Sequence, residues 1–407
     1  MNDKAKAERR HDTLTVEALS LQALRGRQNT KWRKYGDTVL PAWVAEMDFA
    51  VAPPVQAAIE RLVREKDYGY AERAGGHVSL TAIRAFVGRM RDRFGWTIDP
   101  TLVQPVADLV QSSFATVMAY SEPGDGVVLQ TPAYPPFFEA IEGTGRRLVA
   151  NPMRDDGTRY VLDVGAIARS IDDRTRVILL CHPQNPTGRV FDRPELEALG
   201  QLAIARDLVL VTDEIHADLV FSGHRHLPLA MVSPAIAERT VTMTSATKSF
   251  NIPGLRFGVV HFGSAELRER FHRRIPAKLL GTPGVTGADA TTAAWETCQP
   301  WLDDVVSRLQ IGRDRVVHRV RTEMPGARIY TPEATYLAWI DFSGLDLPET
   351  PYRFFLDKAG VALSPGEAFG RGYEKFGRLN FATSPEILEE ILNRMVAAVR
   401  ALGRSLA

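Results

Sequence analysis

Short apolar segments alternate with helical patterns from about residue 100 onward, and this alternation restricts the fold more than any other feature. The apolar segments are nearly uninterrupted by polar residues, as is typical of strands covered on both faces. They are Val127–Thr131, Arg176–Cys181, Leu208–Thr212, Thr240–Thr244 and Phe257–Phe262. Because helical segments such as Pro194–Arg206 separate them, the pattern predicts a mainly parallel sheet with right-handed crossovers. Ligands of such sheets bind at the carboxyl ends of the strands.

The C-terminal part of the chain predicts a second, smaller α/β domain. Its elements are a helix at Trp301–Thr322, a strand at Thr335–Asp341, a helix at Tyr352–Ala359, a strand at Arg378–Ala382 and an amphipathic helix from Pro385 to about Leu402. We therefore expect a large α/β domain over 56–300 and a small one over 301–407. An N-terminal segment, 1–55, is expected to pack with the small domain. A chain of 407 residues is long enough for this division.

Composition excludes several classes of partner. Lys and Arg number 50 against 49 for Asp and Glu, so the net charge is +1, and nucleic acids and anionic membranes are not expected to bind. Cys181 and Cys298 are the two cysteines, which rules out a disulfide framework and a Cys-rich metal site. No apolar run approaches the ~20 residues of a membrane span. Because Met1–Asp12 is charged and lacks a signal-like apolar segment, we expect a cytoplasmic protein.

Four polar motifs stand at the ends of predicted strands. They are Asn-Pro-Thr-Gly at 185–188, Asp-Glu-Ile-His at 213–216, Ser-Ala-Thr-Lys at 245–248 and Gly-Arg-Leu-Asn at 377–380. Taken singly, each has an ordinary structural interpretation as a turn, a helix cap, a loop cation or a surface ion pair. A carboxylate at the tip of a buried strand, as at Asp213, is costly unless a cation pairs with it.

Lys248 is unusual among the basic residues. Nine of the 50 are lysines, and most of those lie among polar or charged neighbours, whereas Lys248 follows an apolar stretch. It could be an ordinary loop cation, but at the mouth of an apolar sheet a lowered pKa would make it an amine nucleophile for a Schiff base, which the always-charged Arg cannot be.

In this order and placement, the four motifs resemble those of fold-type I pyridoxal 5'-phosphate (PLP) enzymes of the class I/II aminotransferase superfamily, over roughly residues 29 to 400. Segments 40–49, 132–137, 181–186 and 335–339 are similar to the MalY/PatB branch, whose members are cystathionine β-lyases or cysteine S-conjugate β-lyases. The resemblance implies PLP as cofactor, a large domain with a seven-stranded type of sheet, and a small-molecule amino-acid substrate.

The resemblance also implies roles for individual residues. Lys248 would bind the PLP aldehyde and remove the substrate Cα proton, while Asp213 would pair with the pyridinium nitrogen. Asn185 would donate to the phenolic oxygen and, with Arg378, bind the substrate carboxylate. Tyr134 would stack on the ring, and we group it with Lys248 and Asp213 as catalytic.

Further residues resemble cofactor contacts of the family. His216 lies where many relatives have a tyrosine that contacts the phenolic oxygen. Ser245, Thr247, Arg256 and the main chain at Ala107 and Asp108 would hold the phosphate. Tyr70 resembles a tyrosine that reaches the phosphate from a neighbouring subunit, so a homodimer with active sites at the subunit interface is expected.

Three functions remain open at this point. The first is β-elimination from cystathionine or another cysteine S-conjugate, and the second is transamination of an amino acid. The third is a non-catalytic or regulatory role, which the complete set of motifs argues against. Arg256 is typical of aminotransferases, and Glu46 stands where the lyases frequently have Asp, so transamination stays an alternative. The group on the thiol side of the substrate is not determined by the sequence.

Overall fold

The structure is a computed structural model and describes residues 15–73 and 76–405. The predicted charged stretch Met1–Asp12 lies outside these residues. The helices are α1 (Leu21–Gly26), α2 (Thr30–Arg33), α3 (Pro53–Glu65), α4 (Ser79–Phe94), α5 (Leu109–Tyr120), α6 (Pro135–Glu142), α7 (Val164–Ser170), α8 (Arg193–Ala205), α9 (Pro234–Ala237), α10 (Ala265–Arg274), α11 (Ala277–Leu280), α12 (Val285–Thr297), α13 (Gln299–Glu323), α14 (Pro351–Ala359) and α15 (Pro385–Ser405).

The strands are mostly short outside the two main sheets. They are β1 (Leu40–Pro41), β2 (Glu72–Arg73), β3 (Gly76–His77), β4 (Val103–Val106), β5 (Gly126–Thr131), β6 (Arg147–Pro152), β7 (Arg154–Asp155), β8 (Tyr160–Val161), β9 (Thr175–Cys181), β10 (Val209–Asp213), β11 (Thr240–Thr244), β12 (Gly258–Phe262), β13 (Arg328–Ile329), β14 (Leu337–Asp341), β15 (Val361–Ala362), β16 (Ser364–Pro365) and β17 (Phe376–Asn380).

A seven-stranded sheet with the order β4-β12-β11-β10-β9-β5-β6 forms the centre of the molecule. The pairs β5–β6, β5–β9, β9–β10 and β10–β11 are parallel, whereas β12 runs antiparallel to both of its neighbours. All five predicted strands are in this sheet, and the prediction of a mainly parallel α/β fold is confirmed. The reversed direction of β12 was not predicted.

Helices cover both faces of this sheet, which explains why its strands are so uniformly apolar. Along β5, Val127 and Leu129 pack into one buried cluster with residues of α5, α6 and α10, while Val128 packs into another with residues of α7 and α8. Successive side chains of a strand point to opposite faces, so both sets of positions must be apolar when both faces are covered.

One edge of the sheet gathers the ends of several strands. Asp213, the last residue of β10, is paired with Cys181 at the end of β9 and with Met243 near the end of β11. Because β12 is antiparallel, its first residue, Gly258, lies beside Val106 at the end of β4. The segments that follow or precede these residues therefore meet at one edge, where the predicted motifs lie.

The C-terminal part forms an antiparallel sheet with the order β13-β14-β17-β16. The strand expected from Thr335 begins at Leu337, because Thr335 has a positive φ of 72° that a strand residue does not adopt. Arg378 was predicted to open its strand, but it lies in the middle of β17. Leu40 of the N-terminal segment pairs in parallel with Val361. The division into domains stays a prediction.

Among the described residues, no helix combines the length and the apolar character that crossing a membrane requires.

Candidate active site

A cavity of about 200 Å³ opens at the edge of the seven-stranded sheet where the strand ends meet. Most of the residues proposed from the sequence line it, although they come from distant parts of the chain. They are Ala107, Asp108, Tyr134, Asn185, Asp213, His216, Ser245, Thr247, Lys248, Arg256 and Arg378. The structure therefore brings these predicted residues together, while Tyr70 lies elsewhere.

Lys248 follows β11 and directs its amine toward a main-chain carbonyl across the cavity. Its Nζ donates a hydrogen bond of 2.8 Å to the carbonyl oxygen of Ala45. Burial and the positive charge of Arg378 lower the pKa of Lys248 to about 8, and the carboxylates of Glu46 and Asp213 limit this effect. A sizeable fraction of the amine is therefore neutral near neutral pH, which a nucleophile or base requires.

Asp213 ends β10 with its carboxyl group buried. Its Oδ1 accepts a 3.0 Å hydrogen bond from the main-chain N–H of Ile215. Burial, with a smaller contribution from Glu214, raises the pKa of Asp213 to about 7, against the opposing effects of the hydrogen bond from Ile215 and of Lys248. A buried carboxylate with so few donors is suited to a cationic N–H group entering the cavity.

Arg378 is a buried cation without a carboxylate partner among the described residues. Its guanidinium donates to Asn185 Oδ1 at 3.0 Å, to the Trp43 carbonyl at 2.9 Å and to Ser364 Oγ at 3.0 Å. The ring of Phe369 lies 4.9 Å from the guanidinium. Burial lowers the pKa of Arg378 to about 10, so the group stays charged and attracts an anionic ligand.

His216 and Tyr134 are the two aromatic side chains that the sequence placed near the cofactor ring. His216 is buried, and burial together with Lys248 and Arg378 lowers its pKa to about 3, so the imidazole is neutral. Its Nδ1 has no partner among the described residues. The ring of Tyr134, which precedes α6, contacts Phe137 edge to face at 5.6 Å, and burial raises the pKa of its hydroxyl.

Hydroxyl and cationic groups line the end of the cavity near α5. Ser245 Oγ accepts from the main-chain N–H of Thr247 at 3.0 Å and lies 2.9 Å from the Thr247 hydroxyl. Arg256, which precedes β12, extends toward solvent and forms a 3.0 Å ion pair with Asp108. Asp108 is the N-cap of α5, so the first turn of this helix also faces the cavity.

Tyr70 is 99% exposed and does not line the cavity. The expectation was that this residue acts on a neighbouring subunit, so its role stays a prediction.

The resemblance pointed to residues 40–49, but the role of the main-chain groups in 43–49, a segment that we call the strap, was not predicted. Val44 and Ala45 of the strap line the cavity, and its carbonyl groups accept hydrogen bonds from side chains in or next to both sheets. The Ala45 carbonyl accepts from Lys248 and from the Tyr336 hydroxyl, and the Val44 carbonyl accepts from Asn380. Main-chain acceptors are the same for every residue type, so no sequence signal could have revealed this role.

Comparisons with known proteins agree with this geometry. A model described as aminotransferase class I and II matches residues 45–395. The chain belongs to the aminotransferase class I and II family. Among this family's members, the cystathionine beta-lyase PatB of Bacillus subtilis (strain 168) is 33% identical over 92% of this chain and 97% of its own length.

Two solved structures have an architecture similar to that of this chain. Cystalysin from Treponema denticola, which contains pyridoxal 5'-phosphate, is 28% identical with a TM-score of 0.88, covering 96% of this chain and 99% of its own. The PLP-bound C-S lyase from Staphylococcus hominis is 29% identical with a TM-score of 0.86, covering 92% and 96%.

Proposed function

We propose that this chain is a PLP-dependent carbon–sulfur β-lyase that cleaves cystathionine or another cysteine S-conjugate to a thiol, pyruvate and ammonia. The observation that carries the proposal is the meeting of Lys248, Asp213 and Arg378 at one cavity. They supply an amine with a lowered pKa, a buried carboxylate and a buried guanidinium that has no carboxylate partner within residues 15–73 and 76–405. The names of the related cystathionine beta-lyase and C-S lyase point to the same reaction.

The chemistry of the lining residues fits PLP. Asp213 has a carboxylate to offer a protonated ring nitrogen, and Lys248 has an amine to offer the aldehyde. Asn185 accepts from Arg378 through its Oδ1, so its Nδ2 would donate to the phenolic oxygen, and the neutral His216 would contact the same oxygen. The phosphate would be held by Arg256, by the hydroxyls of Ser245 and Thr247, and by the main chain at Ala107 and Asp108. Tyr134 would stack on the ring.

PLP, when bound, withdraws electrons from the substrate Cα and so supplies the difficult chemistry. The protein residues position the reacting groups and move the proton. Arg378 would bind the substrate α-carboxylate, and Asp213 would keep the proton on the ring nitrogen. Lys248 Nζ would accept the Cα proton of the substrate. Loss of this proton would let the Cβ–S bond break with its electron pair going to sulfur, and water would convert the remaining fragment to pyruvate and ammonia.

We also propose a cytoplasmic homodimer with active sites at the subunit interface. Tyr70, Tyr68 and Leu279 are unusually exposed for large side chains, at 99%, 63% and 60%. Burying them against a second copy would remove apolar surface from water and would let Tyr70 reach the neighbouring phosphate site. Both cysteines are free, in keeping with a reducing compartment.

The deciding experiment is incubation of the purified holoenzyme with L-cystathionine in the absence of any keto acid. Release of pyruvate and a thiol would support the lyase, whereas product formation only after a keto acid is added would identify an aminotransferase. Arg256, typical of aminotransferases, is the feature that favours this second outcome.

Two controls complete the experiment. Lys248→Ala should abolish turnover, and Lys278→Ala, which changes an exposed lysine, should not. Absence of an absorbance band above about 400 nm after addition of PLP would favour the non-catalytic alternative.

A further inference from the structure

Asp108 is a carboxylate placed where the proposed function puts an anion. Its Oδ1 accepts from the main-chain N–H groups of Val110 at 2.8 Å and Gln111 at 3.2 Å, and its Oδ2 accepts from Arg256 at 3.0 Å. The same carboxylate therefore accepts hydrogen bonds from two main-chain donors in the first turn of α5 and from the guanidinium that would hold the phosphate.

These contacts reduce the electrostatic attraction that the first turn of α5 and Arg256 would exert on the phosphate. The first N–H groups of a helix have no partner within the helix and attract anions. Asp108 satisfies two of them, so the positive end of α5 is partly neutralised. Arg256 is likewise paired with a negative charge before any ligand arrives.

The ion pair between Arg256 and Asp108 is exposed and can break when another anion binds Arg256. The Arg256 side chain is 69% exposed and that of Asp108 is 28% exposed. Exposed ion pairs are weak because water and salt screen them. Arg256 can therefore turn from Asp108 to an arriving phosphate, but the carboxylate stays next to that phosphate because it caps α5.

We propose that the negative charge of Asp108 limits the affinity of the cavity for the phosphate of PLP, because it pairs with Arg256 and offsets the positive end of α5. The proposal rests on the proposed function, since it requires that PLP binds here. It implies that the phosphate end of the cofactor is held less tightly than the donor set alone would allow.

The test compares wild-type apoprotein with Asp108→Asn, because asparagine is an equally good N-cap and removes the charge. Dissociation constants are measured by titration calorimetry for PLP, for pyridoxal and for inorganic phosphate. Asp108→Asn is expected to bind PLP and inorganic phosphate about tenfold more tightly. Affinity for pyridoxal, which lacks the phosphate, should change far less, because the charge of Asp108 has only a minor effect on Lys248.

Asp163→Asn is the matched control. Asp163 caps α7 through the main-chain N–H of Ala166 at 2.8 Å and does not line the cavity, so its replacement should alter none of the three affinities. In an Arg256→Gln background, the gain from Asp108→Asn should shrink, because the contested partner is gone. If Asp108→Asn increased the affinity for PLP as much in this background as in the wild type, the inference that Asp108 acts through Arg256 would be wrong.

Each remaining outcome is decisive. If Asp108→Asn bound PLP no more tightly than the wild type, or less tightly, the carboxylate would be a positioning group for Arg256 and the inference would be wrong, with the proposed function intact. If wild-type protein with PLP gave no band above about 400 nm, the proposed function would fail as well.

Discussion

The pKa of Lys248 gives a prediction that requires neither substrate nor cofactor. Its value of about 8 lies about 2.5 pH units below the ordinary lysine value of 10.5. At pH 7.5 about a quarter of the Lys248 amines are neutral, against about 0.1% for an exposed lysine. Because only the neutral amine is nucleophilic, Lys248 in the apoprotein should be acylated far faster than Lys278, by up to about 200-fold if access is equal. The neutral fraction, and with it the rate, rises with pH and levels off above about pH 9, one pH unit above the pKa.

The assay is brief acylation of the apoprotein at a series of pH values, with the extent at each lysine read by peptide mass spectrometry. Arg378→Met should raise the pKa of Lys248, because a neighbouring positive charge that opposes its protonation is removed. At pH 7.5 this would slow acylation by about tenfold. Arg378→Lys is the matched control, since it keeps the charge. A rate for Lys248 that still rises up to pH 10, or that does not respond to Arg378→Met, would refute the electrostatic reasoning.

Three further predictions concern buried charges. Asp213→Asn should reduce turnover by at least about 10³-fold while leaving some PLP bound, because an amide cannot keep a proton on the ring nitrogen; turnover and cofactor absorbance together check this. Lys31→Met should lower the free energy of unfolding, measured in a urea titration, by about 3–5 kcal/mol, because it leaves the buried Asp48 without its 2.8 Å ion pair. The control is Lys358→Met, which changes an exposed lysine and should lower the free energy of unfolding only slightly. Glu214→Ala should lower the free energy of unfolding by about 1–3 kcal/mol, because the buried His226 imidazole and the Leu229 main-chain N–H lose their acceptor. Glu214→Gln should recover part of this loss.

Local patterning accounts for most of what could be predicted about the fold. Thr240–Thr244 was predicted to its end residues, and the strands near 127–131 and 176–181 differ from the structure by one residue. Uninterrupted apolar runs identify strands covered on both faces, so this signal is strong. The pattern carries no information on direction, and so the antiparallel course of β12 was not predicted. It also does not determine where a strand begins and ends, and so Arg378 was expected to open its strand but lies in the middle of β17.

For the candidate site, the identity of the main residues could be predicted from the sequence, but their contacts could not. Residue type and order along the chain were enough to propose Lys248, Asp213, Asn185 and Arg378, because amine, carboxylate, amide and guanidinium groups have distinct chemistry. The contacts between them depended on folding. Arg378 and Asn185 are 193 positions apart, and the Ala45 carbonyl accepts from Lys248 across 203 positions.

By itself, the sequence determined the α/β class, the main strands and the chemical groups that an active site would need, since these follow from side-chain type and short-range periodicity. The tertiary structure alone decided which groups share a cavity and how their charges affect one another. The pKa of about 8 at Lys248 comes mainly from burial and from Arg378, which is distant in sequence. Burial and proximity arise only when separate segments pack, so no local pattern could have supplied them.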